Sequence, residues 1–210
     1  MNFLGSAFFI VCLSIIFHYY YRRAMAAKRE KLIGKFEFPK GIVSKIIEKY
    51  PHLDEHQADQ VIAGMREYFH VCNTANHKMI AMPSQAVDEA WHEFILFTRE
   101  YKRFCEKALG RFLHHTPAEA MKSRTAAQRS IQRAWKISCA REGIAPKAPK
   151  KLPLLFALDS LLNIPDGFNY SLNCKKHGDA SYCASHIGCG SGCSGDSSGC
   201  SSCSSGCGGD

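Results

Sequence analysis

The sequence predicts a mainly α-helical chain: an N-terminal transmembrane helix, a small helical bundle and a disordered C-terminal tail rich in Gly, Ser and Cys. Three observations predict it. Residues 3–17, FLGSAFFIVCLSIIF, carry no charge. The middle of the chain repeats apolar residues at helical spacing between capping signals, with no alternating strand-type runs. Residues 188–210 hold eight Gly, eight Ser and five Cys, too little apolar surface to offset the entropy of ordering a chain. A length of 210 residues accommodates one ordinary domain plus such appendages.

The first element is the anchor, residues 1–21. About 20 helical residues cross roughly 30 Å of hydrocarbon, and Asn2 to Tyr21 supplies that length. Tyr19, Tyr20 and Tyr21 fall where an interfacial aromatic belt would lie, with Arg22 and Arg23 just beyond. A cleaved signal peptide would carry its cations before the apolar run; here they follow it. That asymmetry predicts a single-pass protein of the plasma (inner) membrane with its body in the cytoplasm. A basic juxtamembrane linker occupies 22–39.

The helical domain spans 40–144. Ile42 to Tyr50 is a short first helix. Asp54, with Gln57 three residues on, caps a second helix reaching about Cys72. Ser84 caps a third, which Gly110 stops. Thr116, Pro117 and Glu119 begin a fourth. In the third helix Val87, Trp91, Phe94, Ile95, Thr98, Tyr101, Cys105 and Leu109 share one side, widened by Ala90, Phe97 and Phe104. That arc exceeds the roughly 100° stripe of a surface helix, so this helix is expected to be central. Residues 145–187 follow as a Pro/Lys linker, a short amphipathic segment and a Cys/His loop, and 188–210 form the tail.

The formal net charge is +8, and nine Lys or Arg against one acid lie between Lys122 and Lys151. With an anchor nearby, anionic lipid headgroups are the nearer partner for that stretch. A solvated helix face plus a cationic linker is the plainer explanation of it. The cations lack interleaved aromatics, which argues against nucleic acid, and no feature names a protein partner.

The chemistry concentrates in residues 87–115. Asp88 and His92 are one helical turn apart beside Trp91 and share a helix face. His114 and His115 follow Gly110. A carboxylate and imidazoles suit a divalent metal or acid–base site, but two ligands are too few for zinc. An unbroken helix from His92 to Leu109 would be roughly 26 Å long, and five extended residues return at most about 17 Å. The histidine pair therefore reaches Asp88 and His92 only if the chain doubles straight back or the helix breaks early, near Thr98. His70 and His77 are rival partners, and a local Asp88–His92 pair that locks Trp91 needs no ligand at all.

Val87, Asp88, Trp91, His92, Tyr101, Cys105, Leu109, Gly110, His114 and His115 form a VDxxWH core followed by Tyr, Cys, Leu-Gly and a His pair. This pattern resembles the glycine-rich domain-containing protein-like family over about residues 40–120, and the tail resembles those of membrane-anchored bacterial relatives. The resemblance implies fold and placement, and no reaction.

A second candidate lies downstream. Cys174 and His177, then Cys183 and His186, make two short chelating pairs of the kind zinc favours; loop residues leading into a tail are the plainer explanation. Neither G-x-S-x-G, a P-loop, a dinucleotide fingerprint nor HExxH occurs. The resulting expectation is a membrane-tethered binding or scaffolding module, with zinc as the cofactor to consider. The alternative is a metal-dependent enzyme working around Asp88 and His92.

Overall fold

In the computed structural model, residues 3–115, 124–172, 182–183 and 187 are described. Seven α-helices appear in them: α1 Phe3–Lys35, α2 Gly41–Lys49, α3 Glu55–Ala75, α4 Gln85–Leu96, α5 Thr98–Phe104, α6 Arg124–Arg141 and α7 Leu154–Leu161. A π-helical segment, Cys105–Leu109, continues α5, and β1 Tyr170–Ser171 pairs in parallel with β2 Tyr182–Cys183. The mainly helical bundle expected from the sequence is therefore present, with one minimal strand pair that it did not announce.

The hub is α3, which packs against α1, α2, α4, α6 and α7. It starts with the full capping box: Asp54 accepts from the Gln57 amide and the Gln57 side chain accepts from the Asp54 amide. Ala58, Val61, Met65, Phe69 and Cys72 form one buried stripe, and buried Gly64, Tyr68 and Val71 widen it, as a helix with several neighbours requires. Gly64 makes the closest approach possible. A Cβ there would stand 2.8 Å from Val87 and 2.9 Å from Leu158, so the bare backbone lets α4 and α7 close onto α3. Phe36, Phe38, Phe69, Phe94 and Phe104 then stack into one aromatic core, with Phe36 and Phe69 each 4.7 Å from Phe104 between ring centroids.

Among the described residues no helix is long and apolar enough to cross a membrane, so the transmembrane helix expected over 2–21 is not supported. Helix α1 runs on past the apolar stretch that ends at Phe17 and takes in His18, the tyrosines, Arg22 and Arg23. Phe9, Ile10, Ile15 and Phe17 are exposed, Phe17 by 73 %. Near the end of α1, Ile33 is completely buried in the bundle. Arg66 donates to the Ile33 carbonyl and Asn73 reaches Glu30, so the second half of α1 belongs to the domain.

Arg141, from the cation-rich stretch, clamps this junction with charge-assisted bonds to Glu30 and both carboxylate oxygens of Glu67. His70 Nδ1 lies 2.8 Å from Glu30. Burial pushes the Glu30 carboxyl up, but Arg141 and His70 together outweigh it and hold it below the ordinary 4.5. A depressed folded-state pKa contributes stability that is complete above pH 4.5 and lost as pH falls through the lowered value. Thermal melts should accordingly drop on acidification below pH 4.5, and Glu30→Gln should flatten that part of the profile.

Candidate metal centre

The site is built from the N-terminus of α4. Helix starts leave their first amides unpaired, and here each finds an acceptor. Ser84 Oγ accepts from Val87 N at 3.2 Å. Asp159 of α7, 2 % exposed, accepts from Gln85 N at 2.7 Å, Ala86 N at 3.3 Å, Ser84 Oγ at 2.6 Å and Phe168 N at 2.8 Å. A carboxylate at this end also complements the helix dipole. The sequence reading included the Ser84 cap and missed Asp159, which lies 75 residues away within an apolar segment.

The third helix expected over 84–110 is not continuous. It breaks at Phe97, whose ψ of 59° ends α4, and α5 restarts at Thr98. The apolar arc hid this break: Phe97 belongs to the arc by sequence, yet it is exposed, and burial stops at Phe94 and resumes only at Tyr101. Tyr101 and Phe104 re-enter the core in a new direction. The π-helical segment and Gly110, with φ of 68°, then turn the chain back; π segments are often retained at functional sites.

The returning segment, residues 111–115, is pinned by one buried relay. Trp91 Nε1 donates to the Tyr101 hydroxyl at 3.1 Å, and that hydroxyl donates to the Leu113 carbonyl. Leu113 thus sits against α4, and His115, two residues later, falls over the Asp88–His92 turn. His115 Nε2 stands 3.0 Å from Asp88 Oδ1 and 3.1 Å from His92 Nε2, and His92 Nε2 is 3.7 Å from Asp88 Oδ2. Its ring stacks edge-on to Trp91 at 4.7 Å. Tyr101→Phe keeps the ring and deletes the relay. It should weaken metal binding by about 10–100-fold, the range for groups that orient ligands, as read by competition with a chelating dye.

These distances have a chemical meaning. His115 Nε2 carries one proton or one lone pair, yet it faces two partners at bonding distance. A cation at the centre would use all three atoms. Metal bonds of about 2.0–2.2 Å set ligand atoms about 2.9–3.6 Å apart across octahedral and tetrahedral geometries, close to the separations seen. Two imidazoles and one carboxylate are a ligand set for zinc or iron(II) that leaves positions open.

The trio lines a cavity of about 580 Å³ between the 77–82 loop, α4 and residues 111–115. His77 and His114 reach this cavity, but neither joins the trio; His114 is exposed and packs on Phe112 at 4.8 Å. His70 is engaged with Glu30 instead. Of the second candidate, Cys174, His177 and His186 lie outside the described residues, and Cys183 is in β2. Burial pushes the Cys72 thiol up to about 12 and that of Cys139 to about 11. Both stay protonated near neutrality and pack as small apolar groups.

A family model described as UCP032817-like matches residues 28–188. The chain belongs to the UCP032817-like family. This corrects the resemblance to the glycine-rich domain-containing protein-like family, which rested on a short core pattern and tail composition. The UCP032817-like match takes in the chain from the last two turns of α1 onward, the trio and its Tyr101 relay, and stops where the Gly/Ser/Cys tail begins. No curated protein and no solved structure matches the chain.

Proposed function

We propose that the protein is a membrane-associated binding module that holds one divalent transition metal on Asp88, His92 and His115. The observation that carries this reading is the convergence of three ligand atoms within 4.8 Å of one another. The cavity beside them supports a ligand-binding role. The exposed apolar residues between Phe9 and Phe17 of α1, followed by cations, support attachment to a membrane surface, and those cations with the Lys122–Lys151 stretch would favour the anionic cytoplasmic face.

The test is metal content and affinity of the full chain, purified in detergent under reducing conditions without chelator. About one zinc or iron per chain, held more tightly than micromolar, is the expected result. A protein that binds neither metal at micromolar concentration overturns the reading. The metal-dependent enzyme is the second reading, and the open space next to the trio favours it. A bound water there would be acidified by the metal toward neutrality, with Asp88, His92 and His115 as ligands. Metal-dependent ester or phosphoester hydrolysis by the same preparation is its test.

A further inference from the structure

The cavity is chemically lopsided. Among the described residues that line it, Asp88, a member of the trio, is the only acid, whereas Lys78 and Arg111 both contribute cations to its wall. Arg111 is fastened in place: its Nη2 donates to the Asn76 carbonyl at 2.7 Å, which uses one of the guanidinium's five donors. A divalent ion on the trio would increase the positive excess. Low-dielectric walls concentrate such a field, and here Tyr68, Ile80 and Leu113 supply buried apolar surface. The volume of about 580 Å³ is roughly twenty water molecules' share at about 30 Å³ each, far more than a bare oxyanion fills.

We propose that the cavity binds an oxyanion, a phosphate or carboxylate, carried on an apolar body. Its oxygens complete the coordination of the metal and pair with Arg111 and Lys78, while the body lies against Met79 and Met82, the accessible apolar part of the lining. Arginine suits this task because its planar fork matches the oxygens of either group. The inference rests on the metal reading above for the ion's share of the attraction. The same headgroup chemistry occurs in lipids and in soluble metabolites.

Calorimetry on the zinc-loaded full chain in a neutral detergent, with hexyl phosphate, hexanol and inorganic phosphate as probes, tests it. Hexyl phosphate is expected to bind at least tenfold more tightly than either hexanol or inorganic phosphate. Arg111→Ala and Lys78→Ala should each weaken it at least fivefold with zinc retained, and Arg111→Lys should recover part of the loss. Because Arg111 also fastens the Asn76 turn, the exposed Lys78 provides the variant that leaves the fold alone. Micelles doped with phosphatidic acid displace the probe when the source is a lipid headgroup and leave it bound when the source is soluble; both results support the pocket chemistry. Hexanol binding as tightly as hexyl phosphate, or both alanine variants binding like the wild type, overturns the proposal. If hexyl phosphate binding depends on Arg111 and Lys78 in a protein that takes up no zinc, the metal reading fails and the anion site stands. Zinc bound without any preference for the anion has the opposite meaning.

Discussion

His115→Ala is expected to weaken metal binding at least about 100-fold, beyond the 10–100-fold typical of groups that merely orient ligands. His115 Nε2 is the atom that lies close to both other members of the trio, 3.0 Å from Asp88 and 3.1 Å from His92. Without it, only a carboxylate and an imidazole on one helix turn remain, and two ligands hold zinc poorly. The fold should change little, by less than about 1 kcal/mol, because the side chain is not part of the core. The discriminating readout is stabilisation by metal. At a zinc concentration of 100 times Kd, the wild type gains about 2.7 kcal/mol, and His115→Ala should gain almost nothing at that concentration. His114→Ala is the natural control, since its neighbouring imidazole lies outside the trio and should leave zinc binding intact. Equal stabilisation of His115→Ala and wild type would move the metal elsewhere.

Asp159→Ala should cost about 3–5 kcal/mol, because each buried donor left unsatisfied costs about 1–3 kcal/mol. Four donors lose their acceptor at once: Ser84 Oγ and the amides of Gln85, Ala86 and Phe168. Two of those amides open α4, so the damage reaches the turn carrying Asp88. Ser84→Ala, which removes only one cap, should cost about 1 kcal/mol. Asp159→Asn should fall between them, because an amide keeps one acceptor and turns a donor toward the helix start. Urea unfolding with an unchanged slope would establish these as native-state losses. A cost below 1 kcal/mol for Asp159→Ala would mean that Ser84 alone holds the start of α4. Losses of 3–5 kcal/mol are a large share of an ordinary domain's 5–15 kcal/mol, and this variant is expected to lose its metal through unfolding rather than through its ligands.

These two cases mark what local sequence can and cannot say. The Asp54–Gln57 box, the Ser84 cap and the Gly110 stop were all legible, because each is a contact within a few residues. The break at Phe97 was not. No Gly, Pro or capping side chain marks it, and the apolar arc runs straight across. It is a tertiary decision, made where Tyr101 and Phe104 find a better-packed direction than continued helix. The meeting of His115 with Asp88 and His92 was legible only as a condition, that the chain turn back early. Its cause, the Trp91–Tyr101–Leu113 relay, depends on that same break. Asp159 was illegible for a different reason: one acid in LLFALDSLLNI looks like the polar edge of an amphipathic helix until α7 docks. At the N-terminus composition was legible, but it could not reveal that one helix would carry the apolar run, the cations and a core residue together.

That continuity fixes a length. From Phe17 to Ile33 the helix α1 has no break, and at 1.5 Å per residue it measures about 24 Å. It acts as a spacer rather than a leash. A flexible linker would let the bundle sample a hemisphere of positions, whereas a helix clamped at its far end by Glu30, Arg66 and Arg141 carries the domain at one height and tilt. Whatever surface accepts the apolar residues, the cavity's distance from it is set by the count of residues in α1. Inserting a single residue there would turn the bundle by about 100°, while inserting four would raise it about 6 Å and turn it by only about 40°.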